Sequence, residues 1–165
     1  MNEKKLFIII GIATILILVV GVFFLSSSNS LSSQTTASSK VKAIASETNY
    51  DWGKIDYNGP KATKTFVIKN KGSENLKLFN VKTSCHCTKA HISIDGTDSP
   101  DFGMSGASSW IGEVKPGKEA KLVIIFDQSY HGPEGVGQAT RYTSVETNDS
   151  SNSKISFTTS GNVVR

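Results

Sequence analysis

Short runs of apolar and β-branched residues, separated by glycine, proline and asparagine, dominate the chain after residue 40. Thr63–Lys69 alternates in polarity and stops at Asn70-Lys71-Gly72, whereas Ala120–Phe126 is apolar along most of its length. Alternation predicts a strand with one buried face, and a short apolar run rich in β-branched residues predicts a central strand. Because no later segment has a clear helical period, we expect an all-β fold.

About seven strands are expected, a number typical of an all-β sandwich. The predicted strands are Tyr50–Ile55, Thr63–Lys69, Leu76–Thr83, Thr88–Ile94, Ala120–Phe126, Gly137–Thr147 and Lys154–Val164. Their spacing favours an all-β sandwich with Greek-key connections over residues 42–165. The cysteines stand too close in sequence to form the inter-sheet disulfide of antibody domains, so we expect the core to depend on packing.

The amino terminus has a different pattern, because Lys4 and Lys5 precede an uncharged apolar run from Leu6 to Leu25. As a helix, about 20 residues span about 30 Å, the thickness of a bilayer's hydrocarbon core. We predict a single-pass signal-anchor over 6–25, with residues 1–5 in the cytoplasm and the rest of the chain outside it. Cleavage near Ser26–Ser28 is the alternative, although cleavable signals have shorter apolar regions.

Residues 26–41 are rich in serine and threonine. A polar segment of this kind buries too little apolar surface to offset the entropy of ordering it, so it predicts a flexible tether.

The net charge of the chain is only +4, and its lysines are scattered without a basic tract, which argues against a nucleic-acid partner. The expected partners are the membrane, contacted through Leu6 to Leu25, and a protein that the sequence does not identify.

The only two cysteines stand in Thr83-Ser84-Cys85-His86-Cys87-Thr88, directly after an apolar run. In an extended strand the two thiols would point to one face and His86 to the other. Their Cα atoms would then lie roughly 6.6 Å apart, at the long edge of disulfide geometry, so a bond between them requires a local turn. We expect either a disulfide or a pair of thiolates that binds a metal ion.

Two later loops carry further soft ligands, Met104 between glycines and His131 among turn residues. Because the loops of a sandwich gather at its ends, Cys85, Cys87, Met104 and His131 are a candidate metal site. Two thiolates, an imidazole and a thioether favour Cu(I) over calcium or magnesium, so copper is the one cofactor indicated. The alternative is that Met104 or Phe102 closes one end of the core.

Four short sequence blocks after position 47 together form a recognisable pattern. They are Tyr50-Asp51-Trp52-Gly53, Thr65–Asn70 with Gly72, Val81–Thr88, and Lys115-Pro116-Gly117 with Phe126-Asp127. Together they resemble the bacterial domain of unknown function 1573 family, except that His86 stands where glycine is usual and the segment between Ile92 and Glu113 is longer. The resemblance implies an immunoglobulin-like β-sandwich related to the domains of major sperm protein and pilus chaperones. It implies no catalytic residue.

These features favour a binding or scaffolding module over an enzyme. Ser84 and Ser109 lack a Gly-x-Ser-x-Gly elbow, and the loop around His131 does not have the pattern of a metalloprotease helix. We therefore expect a membrane-anchored extracytoplasmic module without catalytic activity. The alternative is a soft-metal or thiol-redox protein that uses the Cys-His-Cys motif.

Overall fold

A computed structural model describes most of the chain after the predicted tether. The described residues are Thr14, Leu16, 35–104 and 109–165. Among them, no helix has both the length and the apolar character needed to cross a bilayer. The predicted segment 1–5, the predicted anchor 6–25 except Thr14 and Leu16, and residues 26–34 of the predicted tether lie outside the described residues. The compact unit considered below spans Ala37–Arg165.

Strands make up nearly all the regular structure described in this unit. They are β1 Ala43–Ala45, β2 Asn49–Asp56, β3 Ala62–Asn70, β4 Leu76–Thr83, β5 Thr88–Ile94, β6 Thr97–Asp98, β7 Gly112–Val114, β8 Glu119–Phe126, β9 Gly137–Thr147 and β10 Lys154–Val164, with a 3-10 helix at Gly132–Gly135. Every predicted strand is present, with the same ends or ends one residue further out. The sequence pattern does not predict β1, β6 and β7, because two or three residues are too few to show a period.

The strands form two five-stranded sheets. The first sheet has the order β1-β3-β8-β5-β6, and the second has the order β2-β10-β9-β4-β7. Hydrogen-bonded neighbours in both sheets are antiparallel except β2 and β10, which are parallel. The chain changes sheet at every connection except those from β5 to β6 and from β9 to β10. The prediction of an all-β fold is confirmed, and the two sheets are consistent with an immunoglobulin-like sandwich.

The main core lies between the sheets. Phe66 on β3 contacts Phe157 on β10, with ring centroids 4.9 Å apart. Around this pair the strands bury a set of aliphatic side chains that includes Ile68, Leu76, Leu78, Ile92, Leu122, Ile124 and Val145. Full burial of one such side chain contributes about 1.5–3 kcal/mol, so packing supplies the main driving force for the fold, as the sequence predicts.

Asn70 and Gly72 fix the turn after β3. The Asn70 side-chain amide donates to the carbonyls of Glu74 and Val114, at 2.7 and 2.9 Å, and its Oδ1 accepts from the Gly72 N–H at 2.9 Å. A Cβ atom at position 72 would collide with the carbonyl oxygen of Lys40. Glycine is therefore required where the segment before β1 crosses this turn.

The segment before β1 is part of the packed unit. Val41 is buried in the main core, and the Ser38 N–H donates to the Asn148 carbonyl at 2.8 Å. Asp149 is also buried, and its Oδ2 accepts from the Ala43 N–H at 2.8 Å. Burial raises the pKa of Asp149, but the hydrogen bonds that its carboxylate accepts more than compensate and leave that pKa below its usual value.

A smaller core cluster surrounds Cys87. It consists of Ile55, Cys87, Phe126, Ala139 and Val163, with Trp52 and Cys85 packed against it. Trp52 on β2 stacks on Phe126 of β8, with ring centroids 5.8 Å apart and an interplanar angle of 18°. The Trp52 indole N–H donates to the Thr63 carbonyl at 3.3 Å. Trp52 therefore connects the two sheets beside the cysteine pair.

Candidate functional site

Cys85 and Cys87 lie in the tight turn that carries the chain from β4 in the second sheet to β5 in the first. The Thr88 N–H donates to the Cys85 carbonyl at 3.1 Å. The Thr83 hydroxyl lies 3.2 Å from the carbonyl of Cys85 and 3.0 Å from that of Thr88, and its single O–H is shared between the two. The cysteine Cα atoms are 5.2 Å apart and the two sulfurs form a disulfide. The turn that such a bond requires is thus present, and the chain is not extended here.

Hydrogen bonds hold the turn on both sides. The Ser84 N–H donates to the Tyr142 carbonyl, and the Ser84 hydroxyl accepts from the Tyr142 N–H, each at 2.9 Å. On the other side, the Asp127 N–H donates to the Cys87 carbonyl at 2.8 Å. Asp127, directly after β8, and Tyr142, in the middle of β9, therefore fix the position of the disulfide.

The two sulfur atoms have different surroundings. Cys85 is half-buried, and its Sγ lies 3.4 Å from Nε2 of the exposed His131. Cys87 is only 2% exposed, and its Sγ accepts a hydrogen bond from Nε–H of Arg141 at 3.0 Å. One sulfur is thus accessible beside an imidazole, and the other is enclosed beside a guanidinium group.

Arg141 is a site residue that the sequence does not predict. It lies on β9, and its guanidinium carbon is 5.0 Å from the ring centroid of Phe126, within the range of a cation–π contact. Its Nη1 donates to the Thr140 carbonyl at 2.8 Å. Burial lowers the pKa of Arg141, but an arginine keeps its proton in proteins. The site therefore contains a fixed positive charge next to Cys87.

His131 reaches the site from the loop between β8 and β9, immediately before the 3-10 helix. An Asx turn starts this loop, because Asp127 Oδ1 accepts from the Ser129 N–H at 3.2 Å and from its hydroxyl at 2.8 Å. Gly132 then takes a φ of +66°, a conformation that favours glycine. The Tyr130 ring lies edge-on to the imidazole, with centroids 5.1 Å apart. The turn residues around His131 thus aim its ring at the disulfide.

Three of the four predicted metal-site residues lie together. One ligand atom from each of Cys85, Cys87 and His131 is within 4.8 Å of the others. Met104 lies at the surface, 44% exposed, whereas Phe102 is 5% exposed and packs on Trp110 with centroids 5.4 Å apart. Phe102 is therefore the residue of this loop that packs in the core, which was the alternative predicted for Met104 or Phe102. A soft cation needs thiolates, so binding at this group requires reduction of the disulfide.

A cavity of about 170 Å³ opens beside the turn. Its lining residues are Lys61, His86, Cys87, Lys89, Ile125, Asp127 and Tyr130. Lys61 forms an ion pair with Asp127, with Nζ 2.8 Å from Oδ2, and this contact lowers the pKa of Asp127. Most of the basic character of the cavity thus comes from Lys89, while the charge of Lys61 is paired.

The fold and the site together define a β-sandwich domain, consistent with the immunoglobulin-like class, with a Cys-x-Cys disulfide at a crossing between its sheets. Residues 43–98 match the family described as "Protein of unknown function (DUF1573)", a segment that includes both cysteines. This match confirms the family resemblance predicted from the sequence. No curated protein matches the chain.

One solved structure shares this fold. A protein of unknown function from Porphyromonas gingivalis W83 is 20% identical, with a TM-score of 0.57, and the match covers 77% of this chain and 49% of that one. This chain therefore spans about half the length of that protein. The PapD-like domain 7 of human CEP192 is 17% identical, with a TM-score of 0.46 over 78% of this chain and 87% of that one. At such identities the first structure shows a shared fold alone.

Proposed function

We propose that this protein is a membrane-anchored binding module that displays its β-sandwich outside the cytoplasm. It contacts a partner protein through the turn surface, which consists of Ser84, Cys85, His86, Tyr130, His131 and Tyr142. Two tyrosines carry this proposal, because Tyr130 is 55% exposed and Tyr142 is 56% exposed on the two segments that hold the turn. Aromatic side chains are enriched in protein interfaces, where a large apolar ring and a polar tip are both useful.

The rigidity of this surface supports a binding role. The disulfide and the backbone hydrogen bonds of Ser84 and Cys87 hold the turn in one conformation before any partner arrives. A preorganised surface loses little conformational entropy on association, so more of its contact energy appears as affinity. Neither tyrosine is needed for the main core, which lies elsewhere between the sheets.

The extracytoplasmic location is supported by two independent features. Lys4 and Lys5 before the run from Leu6 to Leu25 favour a cytoplasmic amino terminus. A disulfide persists in oxidising compartments and is rare in the cytosol, so the bond between Cys85 and Cys87 fits a domain on the outer side of the membrane. Protease added to intact cells with a permeable envelope should digest the sandwich and leave the anchor. Protection of the sandwich would contradict this orientation.

Position-specific crosslinking tests the binding function. A photo-crosslinking amino acid is placed at Tyr130, at Tyr142, or at Ile44 on the edge strand β1, which is itself 38% exposed and serves as the matched control. Irradiation of intact cells should give one discrete adduct from Tyr130 and Tyr142 and none from Ile44. Equal yields from all three positions, or no adduct at Tyr130 and Tyr142, would show that the turn surface is not the contact site.

Soft-metal binding is a second candidate function, favoured by the close group of Cys85, Cys87 and His131. After reduction, two thiolates and one imidazole supply soft donors that suit Cu(I). The ligands are within a few ångströms of one another already, so only the disulfide has to open. Retention of stoichiometric Cu(I) by the reduced protein against a competing chelator would support this candidate.

A further inference from the structure

We infer that the partner of the turn surface is a protein dithiol that exchanges with the disulfide, with Cys85 as the attacked sulfur and Cys87 as the leaving group. This inference rests on the proposed binding function and gives the partner its chemistry. It assigns a separate role to each cysteine and a positioning role to Arg141. A purely structural disulfide would not require such a division.

Access decides which sulfur is attacked. A thiolate approaches a disulfide along the extension of the S–S bond, on the side away from the sulfur that leaves. Cys85 is half-buried at the surface, whereas Cys87 is 2% exposed and enclosed by Ile55, Phe126 and other members of the smaller core cluster. Attack on Cys87 would need this cluster to open. Attack on Cys85 needs no rearrangement of the core.

Charge decides which sulfur leaves. Exchange is faster when the departing sulfur is a better-stabilised thiolate. The Arg141 Nε–H already points at Cys87 Sγ over 3.0 Å, and Phe126 supports the guanidinium from one face. A hydrogen bond from a charged donor to an anionic sulfur is stronger than one between neutral groups. Negative charge that develops on Cys87 therefore meets a donor that is in place before the reaction begins.

The reaction is balanced in two steps. The partner's first thiolate forms a bond to Cys85 Sγ, the Cys85–Cys87 bond breaks, and the electron pair of that bond stays on Cys87 as a thiolate beside Arg141. The partner's second thiolate then attacks its own sulfur in the mixed disulfide and releases Cys85 as a thiolate. The partner loses two electrons and becomes a disulfide. The cysteine pair gains these two electrons and, with protons from solvent, becomes a dithiol.

The aromatic rim explains why the thiol belongs to a protein. Tyr130 and Tyr142 stand exposed on the two segments adjoining the turn, where a macromolecule that approaches Cys85 has more surface to contact them than a small thiol has. A macromolecular dithiol can bury one or both rings as it approaches. The tyrosines should therefore affect the reaction with a protein dithiol and leave the reaction with a small thiol unchanged.

Mass spectrometry of the trapped intermediate tests the assignment of the sulfurs. Oxidised full-length protein in detergent micelles is treated with a limiting amount of glutathione, quenched in acid, alkylated and mapped. We expect glutathione on Cys85 in at least tenfold excess over Cys87. Glutathione mainly on Cys87, or equally on both, would overturn the inference without requiring any variant to fold.

The rate at which the disulfide is reduced tests the roles assigned to Arg141 and Tyr130. Arg141→Gln should slow reduction by dithiothreitol about tenfold, and Arg141→Lys should recover part of the rate because it keeps the charge. Lys89→Gln is the control, since Lys89 lines the adjacent cavity without a hydrogen bond to sulfur among those described. Tyr130→Ser should slow reduction by a protein of the Cys-x-x-Cys dithiol type several-fold and leave the glutathione rate unchanged.

The outcomes separate this inference from the function on which it depends. Crosslinks at Tyr130 and Tyr142, together with an unchanged rate of disulfide reduction in Arg141→Gln, would support the binding function and contradict the exchange reaction. Attack on Cys85 with no position-specific crosslink would support the exchange chemistry and remove the protein partner. If Lys89→Gln slows reduction of the disulfide as much as Arg141→Gln does, loss of any nearby positive charge explains the effect. The specific role assigned to Arg141 is then overturned.

Discussion

Arg141 donates its Nε–H to the sulfur of Cys87 at 3.0 Å, although 54 residues separate the two in sequence. The contact joins the middle of β9 to the turn between β4 and β5, and it places a permanent cation against the more buried half of a disulfide. The more accessible half, Cys85, lies 3.4 Å from the imidazole of His131. This difference between two sulfurs two residues apart is the main reason to assign the turn a chemical role.

The cysteine substitutions should have unequal effects on stability. Loss of the disulfide costs about 1–2 kcal/mol for so short a loop, because little unfolded-state entropy is restricted by it. Cys85→Ser should show this loss alone, since position 85 is half-buried. Cys87→Ser should cost about 1–3 kcal/mol more, because it also places a hydroxyl in the smaller core cluster. Urea denaturation measures both values, and equal losses would contradict the difference in burial.

Gly72→Ala should destabilise the domain by about 1–3 kcal/mol, the usual cost of forcing extra atoms into a packed site. The added Cβ would meet the backbone carbonyl of Lys40, which cannot move without disturbing the segment before β1. Gly103→Ala is the matched control, because its Cβ would meet only the flexible end of the Lys89 side chain, at 3.3 Å. Thermal unfolding should shift for the first variant and change little for the second. Similar shifts would show that the segment before β1 does not pack on this turn.

Acid should unfold the domain through two carboxylates. The Lys61 ion pair lowers the pKa of Asp127, and the pKa of Asp149 is lowered on balance because accepted hydrogen bonds outweigh the effect of burial. Each group has a lower pKa when folded, so its contribution is fully present above the unfolded value of about 3.9 and disappears as the pH falls through the folded value. Denaturant titrations between about pH 6 and pH 2 should show this decline.

The matched variant for the acid prediction is Asp149→Asn. It removes one titrating group at the turn before β10 while keeping an oxygen that can accept from the Ala43 N–H. The variant should be less stable than the natural chain at neutral pH and should lose less stability on acidification. A slope identical to that of the natural chain would mean that Asp149 does not contribute to the acid transition.

The strands and the soft ligands could be predicted because each leaves a local pattern in the sequence. Lys154–Val164 alternates between buried and less buried positions along a full strand, and turn residues mark the loop of His131. The two-residue strand Thr97–Asp98 has no period to detect. Arg141 belongs to no motif, because its partner is set by the register of β9 against the strands beside it. Long-range pairing of this kind is a property of the fold and not of a local segment.

The candidate copper site makes a graded prediction. In reduced, oxygen-free protein, Cys85→Ser or Cys87→Ser should abolish Cu(I) binding, because thiolates are the strongest soft donors in the group. His131→Ala should weaken binding about tenfold or more, the scale seen when a metal-site partner is lost. Met104→Leu should also weaken it if the exposed thioether closes over the ion, as the sequence predicts. Competition with a chromophoric Cu(I) chelator measures each affinity.

His91→Ala provides the control for the copper series. His91 lies on β5 with its Nδ1 3.7 Å from Asp101 Oδ1, and it is not a member of the Cys85, Cys87 and His131 group. Its removal should leave the affinity for Cu(I) unchanged. A loss equal to that of His131→Ala would place the ion elsewhere, and failure of the natural chain to retain copper would remove the metal function.

Trapping of the partner in cells tests the central claim most directly, that the turn surface binds a protein dithiol through Cys85. In Cys87→Ser the Cys85 thiolate forms the same mixed disulfide from the opposite direction: it attacks the disulfide of the oxidised partner, and one partner sulfur leaves as a thiolate. Cys87 is then absent and cannot displace the partner from Cys85, so the mixed disulfide accumulates. Non-reducing electrophoresis of the anchored protein should then show a discrete intermolecular disulfide in Cys87→Ser, weaker in Cys87→Ser combined with Tyr130→Ser, and none in Cys85→Ser. An adduct through Cys87 in the Cys85→Ser variant, or no adduct in either variant, would contradict the claim.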